Sequence, residues 1–104
     1  MMEKFEKQSY EEFPIAADFV NVMDSSESLT LSSCAVEAED KDGSDVSSTV
    51  LDQTTLKVDG TQLKIVCKAG SESKSPYKIT FKGVTDATPP NKWEVDVRME
   101  VEEI

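Results

Sequence analysis

Three observations predict that this 104-residue chain is all-β. Apolar and polar residues alternate strictly over its last quarter. Clusters of Ser, Asp, Gly and Pro punctuate it at short intervals. No stretch carries the 3.6-residue period of an amphipathic helix.

The first 14 residues, MMEKFEKQSYEEFP, show no clean period and read as an N-terminal arm carrying Phe5, Tyr10, Phe13 and Pro14. The segment ADFVNVM (Ala17–Met23) reads as the first strand of a domain spanning 15–104. In SSCAVEAED, Cys34, Val36 and Ala38 alternate with Ala35, Glu37 and Glu39. Leu29 and Leu31 sit one step out of phase, which predicts a kink at Ser32–Ser33. STVLD and TTLKV supply one or two short strands. After the turn signal Asp59-Gly60, TQLKIVCK places Leu63, Ile65 and Cys67 on one face and Lys64, Val66 and Lys68 on the other.

The last two runs read as a hairpin. Tyr77, Ile79 and Phe81 alternate with lysine and threonine. Trp93, Val95, Val97, Met99 and Val101 alternate with Glu94, Asp96, Arg98, Glu100 and Glu102. The expected register sets Phe81 opposite Val97, Ile79 opposite Met99 and Tyr77 opposite Val101. It brings Lys82 to Asp96 and Lys78 to Glu100, whereas a two-residue slip would set Lys78 against Arg98. Val84 falls out of phase, so a bulge is expected at Gly83. Pro89-Pro90 confines TDATPPN to the loop. Six or seven such strands predict a small immunoglobulin-like antiparallel β-sandwich of about seven strands with an N-terminal arm. A small barrel is the alternative.

The formal net charge is −10. Residues 1–30 and 31–60 each carry 2 Lys against 7 acids, 61–91 carry 5 Lys against 2, and 92–104 carry 2 bases against 5. An acidic total argues against sequence-independent nucleic-acid binding, which neutralises phosphates with Lys and Arg. The basic stretch is expected to face acidic neighbouring strands. No run of 18 apolar residues is present, so no membrane-spanning helix is expected. The charged start MMEKFEKQSYEEF lacks the apolar stretch of a secretory signal, and synthesis in a cytoplasm is the expectation. Cys34 and Cys67 are then expected as reduced, buried thiols.

Little in the sequence carries chemistry. Asp40, Asp42 and Asp45 in DKDGSD suggest calcium, but Gly43 falls at the fourth position and Leu51 at the twelfth, so an exposed turn is expected and no metal. The chain has no histidine to serve as base to a nucleophile. KAGSESKSP lacks the spacing of a phosphate-binding loop. Carboxylate pairs of glycosidase type are not excluded by counting, but so small a domain leaves little room for a cleft. No catalytic residue, metal ligand or cofactor is therefore assigned. The arm exceeds what folding needs: it either reaches a neighbour, with Phe5, Tyr10, Phe13 and Pro14 as the partner-binding candidates, or is a frayed terminus.

The pieces FEKQSYEEFPIAADFVNVM, SDVSSTVLD, KAGSESKSPYKITFKGVT and NKWEVDVRMEV occur in this order. Together they resemble short immunoglobulin-like proteins of tailed bacteriophages and prophages, of the fibre–tail adaptor or neck-associated type. The resemblance covers nearly the whole chain, although TDATPP is longer than the turn expected there. It implies a non-enzymatic virion component, assembled in the host cytoplasm. Several copies would link tail or neck to fibres or other distal virion proteins, with no nucleic acid or membrane as partner. A small ligand- or carbohydrate-binding sandwich is the alternative, for which Trp93 or Tyr77 would be exposed. An enzyme accessory domain is a third possibility.

Overall fold

The computed structural model describes residues 3–103; residues 1 and 2 of the expected arm, and residue 104, lie outside them. Seven strands form two sheets: β1 (Glu3–Lys7), β2 (Phe13–Asp18), β3 (Ala35–Glu39), β4 (Leu51–Asp59), β5 (Gln62–Cys67), β6 (Tyr77–Val84) and β7 (Lys92–Val101). The sheet orders are β1-β7-β6-β3 and β2-β5-β4. This is the immunoglobulin-like arrangement, with β3, β6 and β7 facing β2, β5 and β4 across one core. Every pairing is antiparallel except β1 with β7, which is parallel.

The core consists of the inward residues of each alternating run. Phe19, Val36, Leu51, Leu63, Ile65, Ile79, Phe81 and Met99 are all buried. Burying a side chain of this size contributes about 1.5–3 kcal/mol, so this set is the main favourable contribution to folding. Cys34 and Cys67 are buried free thiols within the same cluster. Cys67 Sγ lies 3.3 Å from Met99 Sδ, and burial pushes its thiol up from the ordinary value.

The expected arm is not set apart from the sandwich. Glu3–Lys7 pairs with Val97–Val101, and Phe13–Pro14 opens β2 opposite Cys67 and Val66. The period was hidden because β1 is a five-residue edge strand in which only Phe5 and Lys7 are drawn inward, and one of the two is charged. Lys7 is only 3 % exposed. Its stem lies against the core while its ammonium donates to the carbonyls of Gln8 at 2.9 Å and Ser9 at 3.4 Å.

Other expectations need correction. The strand placed at Ala17–Met23 ends at Asp18 and begins earlier. The Asp18 carboxylate accepts the Val20 N–H at 3.0 Å and the Thr61 hydroxyl at 2.6 Å. Val22 and Met23 then donate to the Phe19 carbonyl, which turns the chain away. STVLD and TTLKV form one helical turn, Ser47–Val50, followed by the single irregular strand β4. The β4–β5 register shifts between Asp52 and Lys57, and Thr55 Oγ1 accepts the Val66 N–H at 2.9 Å in that gap. The kink at Ser32–Ser33 is present as a single 3-10 turn, Leu31–Ser33.

The hairpin forms, but two residues out of the expected register. Tyr77 opposes Met99, Ile79 opposes Val97 and Phe81 opposes Val95, so Lys78 does face Arg98. A two-residue slip leaves every side chain on its own face, so the apolar pattern cannot distinguish the registers. Charge across the hairpin alone does not fix the register, because β6 and β7 lie in a four-stranded sheet. Lys78 also faces Glu39 of β3, Lys82 reaches Glu37 at 2.9 Å, and Arg98 reaches Glu100 at 3.0 Å. No bulge occurs at Gly83, and the ladder runs without a break to Val84 opposite Lys92. Gly83 instead holds an inward position, where a Cβ would stand 3.0 Å from the Phe19 ring.

Candidate interaction surface

Each sheet edge exposes backbone donors and acceptors that the chain must cover or leave available. The β3 edge is covered. Gln53 Nε2 donates to the Val36 carbonyl at 3.0 Å, Ser47 Oγ accepts the Ala38 N–H at 2.9 Å, and Val46 N–H donates to the Ala38 carbonyl at 2.9 Å. The β4 edge is bent by its register break, where Thr54 folds back onto the Asp52 carboxylate. Among the described residues, the opposite side, where β1 and β7 lie over β2, is finished less completely.

Three of the four candidate residues lie on this open side. Phe5 on β1 and Phe13 on β2 are half-buried and meet edge to face, with ring centroids 5.9 Å apart. They tie the two sheets together at one end of a groove of about 290 Å3, which Ile15, Phe81 and Val97 also line. Pro14 is exposed on β2. Opposite it, Val66 turns its N–H toward Thr55 on β4, so Pro14 faces the free edge, where it has no N–H to offer. Phe5 and Phe13 therefore pack the fold, and Pro14 makes this edge a poor pairing template.

Tyr10 stands apart, 97 % exposed. The turn that carries it is braced from both sides. Gln8 N–H donates to Glu11 Oε1 and Ser9 N–H to Glu103 Oε1, each at 2.7 Å, and Glu102 N–H donates to the Lys7 carbonyl at 3.0 Å. The Ser9 backbone N–H also holds the Glu103 carboxyl below its ordinary range. Tyr10 is thus an aromatic side chain presented on a fixed turn, the kind of residue that anchors protein interfaces.

Beyond the groove the same side carries Val20, Val22 and Trp93, which are 53 %, 44 % and 37 % exposed. Phe19, Val22, Trp93 and Val95 line a second, smaller hollow of about 100 Å3, bordered by Asp18 and Glu94. Sequence reading missed Val20 and Val22 because it placed them in a strand. The one local signal was Asp18, a residue that stops strands by hydrogen-bonding two positions ahead. On the outer face of the sheet, Ser33, Ala35, Lys82, Val84, Lys92 and Trp93 border a hollow of about 330 Å3. Tyr77 is buried, with its hydroxyl accepting the Ser71 N–H at 2.8 Å.

The acids of DKDGSD are engaged within or beside their own turn. Asp40 Oδ1 accepts the Asp42 and Ser44 N–H groups, Asp42 meets Lys74 at 3.2 Å, and Asp45 caps Ser47. Among the described residues, no three His, Cys, Asp or Glu side chains are grouped to hold a metal. Comparison of the chain with protein-family models, curated proteins and solved structures finds no match. What the surface offers chemically is apolar area, acidic borders and backbone groups, the materials of a docking face.

Proposed function

We propose that this protein is a non-enzymatic structural subunit of a tailed-phage or prophage particle, an adaptor joining tail or neck to fibres or other distal virion proteins. The observation that carries the reading is the uneven finish of its surface. Two sheet edges are covered or bent by the chain itself, while the opposite side exposes Val20, Val22 and Trp93 near a braced turn presenting Tyr10. A subunit that repeats around a symmetric particle needs one such patch per copy. The likeness of the strand segments to neck- and fibre-associated immunoglobulin-like proteins supplies the particular assembly.

The test is mass spectrometry of particles purified after prophage induction, together with sequencing of the flanking genes. The expected result is the chain at constant stoichiometry with tail or neck proteins, among portal, tail and fibre genes. Recovery only in the soluble fraction, beside metabolic genes, would refute it. The carbohydrate-binding alternative keeps one observation, the partly exposed Trp93 beside the outer-face hollow. Tyr77 is closed to it by burial.

A further inference from the structure

The outer-face hollow of about 330 Å3 follows from strand register and side-chain length. Ala35 of β3 opposes Lys82 of β6, while on the other side Lys82 opposes Glu94 and Val84 opposes Lys92. Ser33 and Ala35 are short, and the longer Lys82, Lys92 and Trp93 stand around the space they leave. In the order β1-β7-β6-β3 the hollow lies over β6, with β7 between it and β1. Ala35 and Val84 are half-buried and give it apolar surface. Lys82 is engaged by Glu37 at 2.9 Å. Lys92 is exposed and, among the described residues, has no carboxylate within ion-pair distance.

The Tyr10 turn stands at the other end of β7. Lys92 begins this ten-residue strand and Val101 ends it, about 30 Å away at roughly 3.3 Å per residue. The next residue, Glu102, donates its N–H to the Lys7 carbonyl at the base of the turn. Tyr10, Glu11 and Glu12 are all exposed there. Glu11 is engaged in bracing the turn, whereas Glu12 makes no ion pair among the described residues. Beneath them the buried Lys7 ammonium holds the Gln8 and Ser9 carbonyls. A turn fixed in this way loses little freedom when it binds.

We propose that the Tyr10 turn of one copy of this chain seats in the outer-face hollow of another, a head-to-tail contact between opposite ends. The inference rests on the assembly reading above and names the contact through which copies repeat. The phenol ring covers Ala35 and Val84, its hydroxyl meets Ser33 on the rim, and Glu12 comes to Lys92. The hollow lies at the lower end of the pocket range of roughly 300–1,000 Å3, which suits one aromatic side chain. Charge selects a second copy in this orientation, because the turn offers carboxylates where the hollow offers an ammonium. Turn against turn would set carboxylates against carboxylates. The net charge of −10 does not forbid the contact. The molecule is 45 Å long, and charges more than about 8 Å apart are largely screened at physiological salt. Because it joins two different patches, the contact propagates into a ring if the rotation closes.

Sedimentation of the full chain over a range of concentrations reads the contact. A single small interface is expected to be weak, with a Kd of about 0.1–1 mM. Trp93, the only tryptophan, borders the hollow, so its emission should shift to the blue as copies associate. Tyr10→Ala removes the anchor from a side chain that is 97 % exposed. Ala35→Glu fills the hollow and meets Lys82 across the β3–β6 ladder. Each should weaken association at least about tenfold and leave urea stability unchanged. Their mixture is decisive. Each variant keeps the end that the other lacks, so an equimolar mixture should form a 1:1 dimer and grow no further. If Ala35→Glu fails to fold, Lys92→Glu at the exposed rim takes its place.

A wild-type chain that stays monomeric, a mixture that stays monomeric, or association that Tyr10→Ala leaves intact would each overturn the proposal. If copies associate as described but purified particles lack the chain, the assembly reading falls and the contact stands. If Tyr10→Ala enters particles at wild-type level and the wild-type chain does not associate, the contact falls and the assembly reading stands.

Discussion

Replacing Gly83 by alanine tests the packing that joins β6 to the turn after β2. Gly83 sits in a regular stretch of ladder opposite Trp93, and only Gly43, Gly60 and Gly70 have positive φ. Its conformation suits any residue, so its use must lie in space. An added Cβ would stand 3.0 and 3.1 Å from two atoms at the far end of the Phe19 ring and 3.3 Å from Leu29 Cδ2. Phe19 is 1 % exposed, so the ring has little freedom to withdraw. Overpacking of this kind costs about 1–3 kcal/mol. Alanine recovers about 0.4–1 kcal/mol by restricting the unfolded chain.

The expected net loss is about 1–2 kcal/mol, or a Tm lower by roughly 4–15 °C for a domain of this size. Urea unfolding followed by Trp93 fluorescence measures it. The double variant sharpens the test, because leucine lacks the ring atoms that the added methyl group would strike. Phe19→Leu should therefore cost less in the Gly83→Ala background than in the wild type, with a coupling of at least about 0.5 kcal/mol. A neutral or stabilising Gly83→Ala, or strict additivity of the two changes, would refute the reasoning.

Deleting residues 1–7 should lower stability by at least about 1 kcal/mol, the contribution of a half-buried Phe5, in the same urea assay; an unchanged midpoint would mean that β1 is dispensable. Tyr77→Phe strips the acceptor from the Ser71 N–H and should cost about 0.5–1.5 kcal/mol by thermal melting. Cys34 and Cys67 should react with a thiol reagent at the rate of global unfolding, and prompt labelling of the folded chain would contradict their burial. Stability should also depend on acid. Asp18, Glu27, Asp45, Asp52, Asp59 and Glu103 are each held below their ordinary values by hydrogen bonds, so they stabilise the folded chain above those values. That stability is lost as the pH falls through the lowered values, beginning below about pH 4.5. An acid titration of Trp93 emission in about 0.5 M salt, which screens the general charge, would speak against this if the loss began above about pH 5.

The amino-acid sequence by itself determined the fold class, most of the strands and which side of each faces the core. Alternation is a local property: Leu63, Ile65 and Cys67, or Val97, Met99 and Val101, share a face whatever they pair with. The buried state of both cysteines followed for the same reason. Hairpin register was decided only in the tertiary structure, because a two-residue slip preserves every face and the deciding charges, Glu37 and Glu39, lie on a strand far back in the chain. The same holds for Gly83, whose local pattern suggested a bulge and whose actual role is set by Phe19 from another part of the chain. The candidate surface was half legible. Tyr10 could be singled out as an aromatic outside any pattern, but Phe5 and Phe13 found partners in each other and in the core. Side-chain periodicity is written along the chain. Pairing, register and exposed edges arise between segments distant in sequence, and packing decides them.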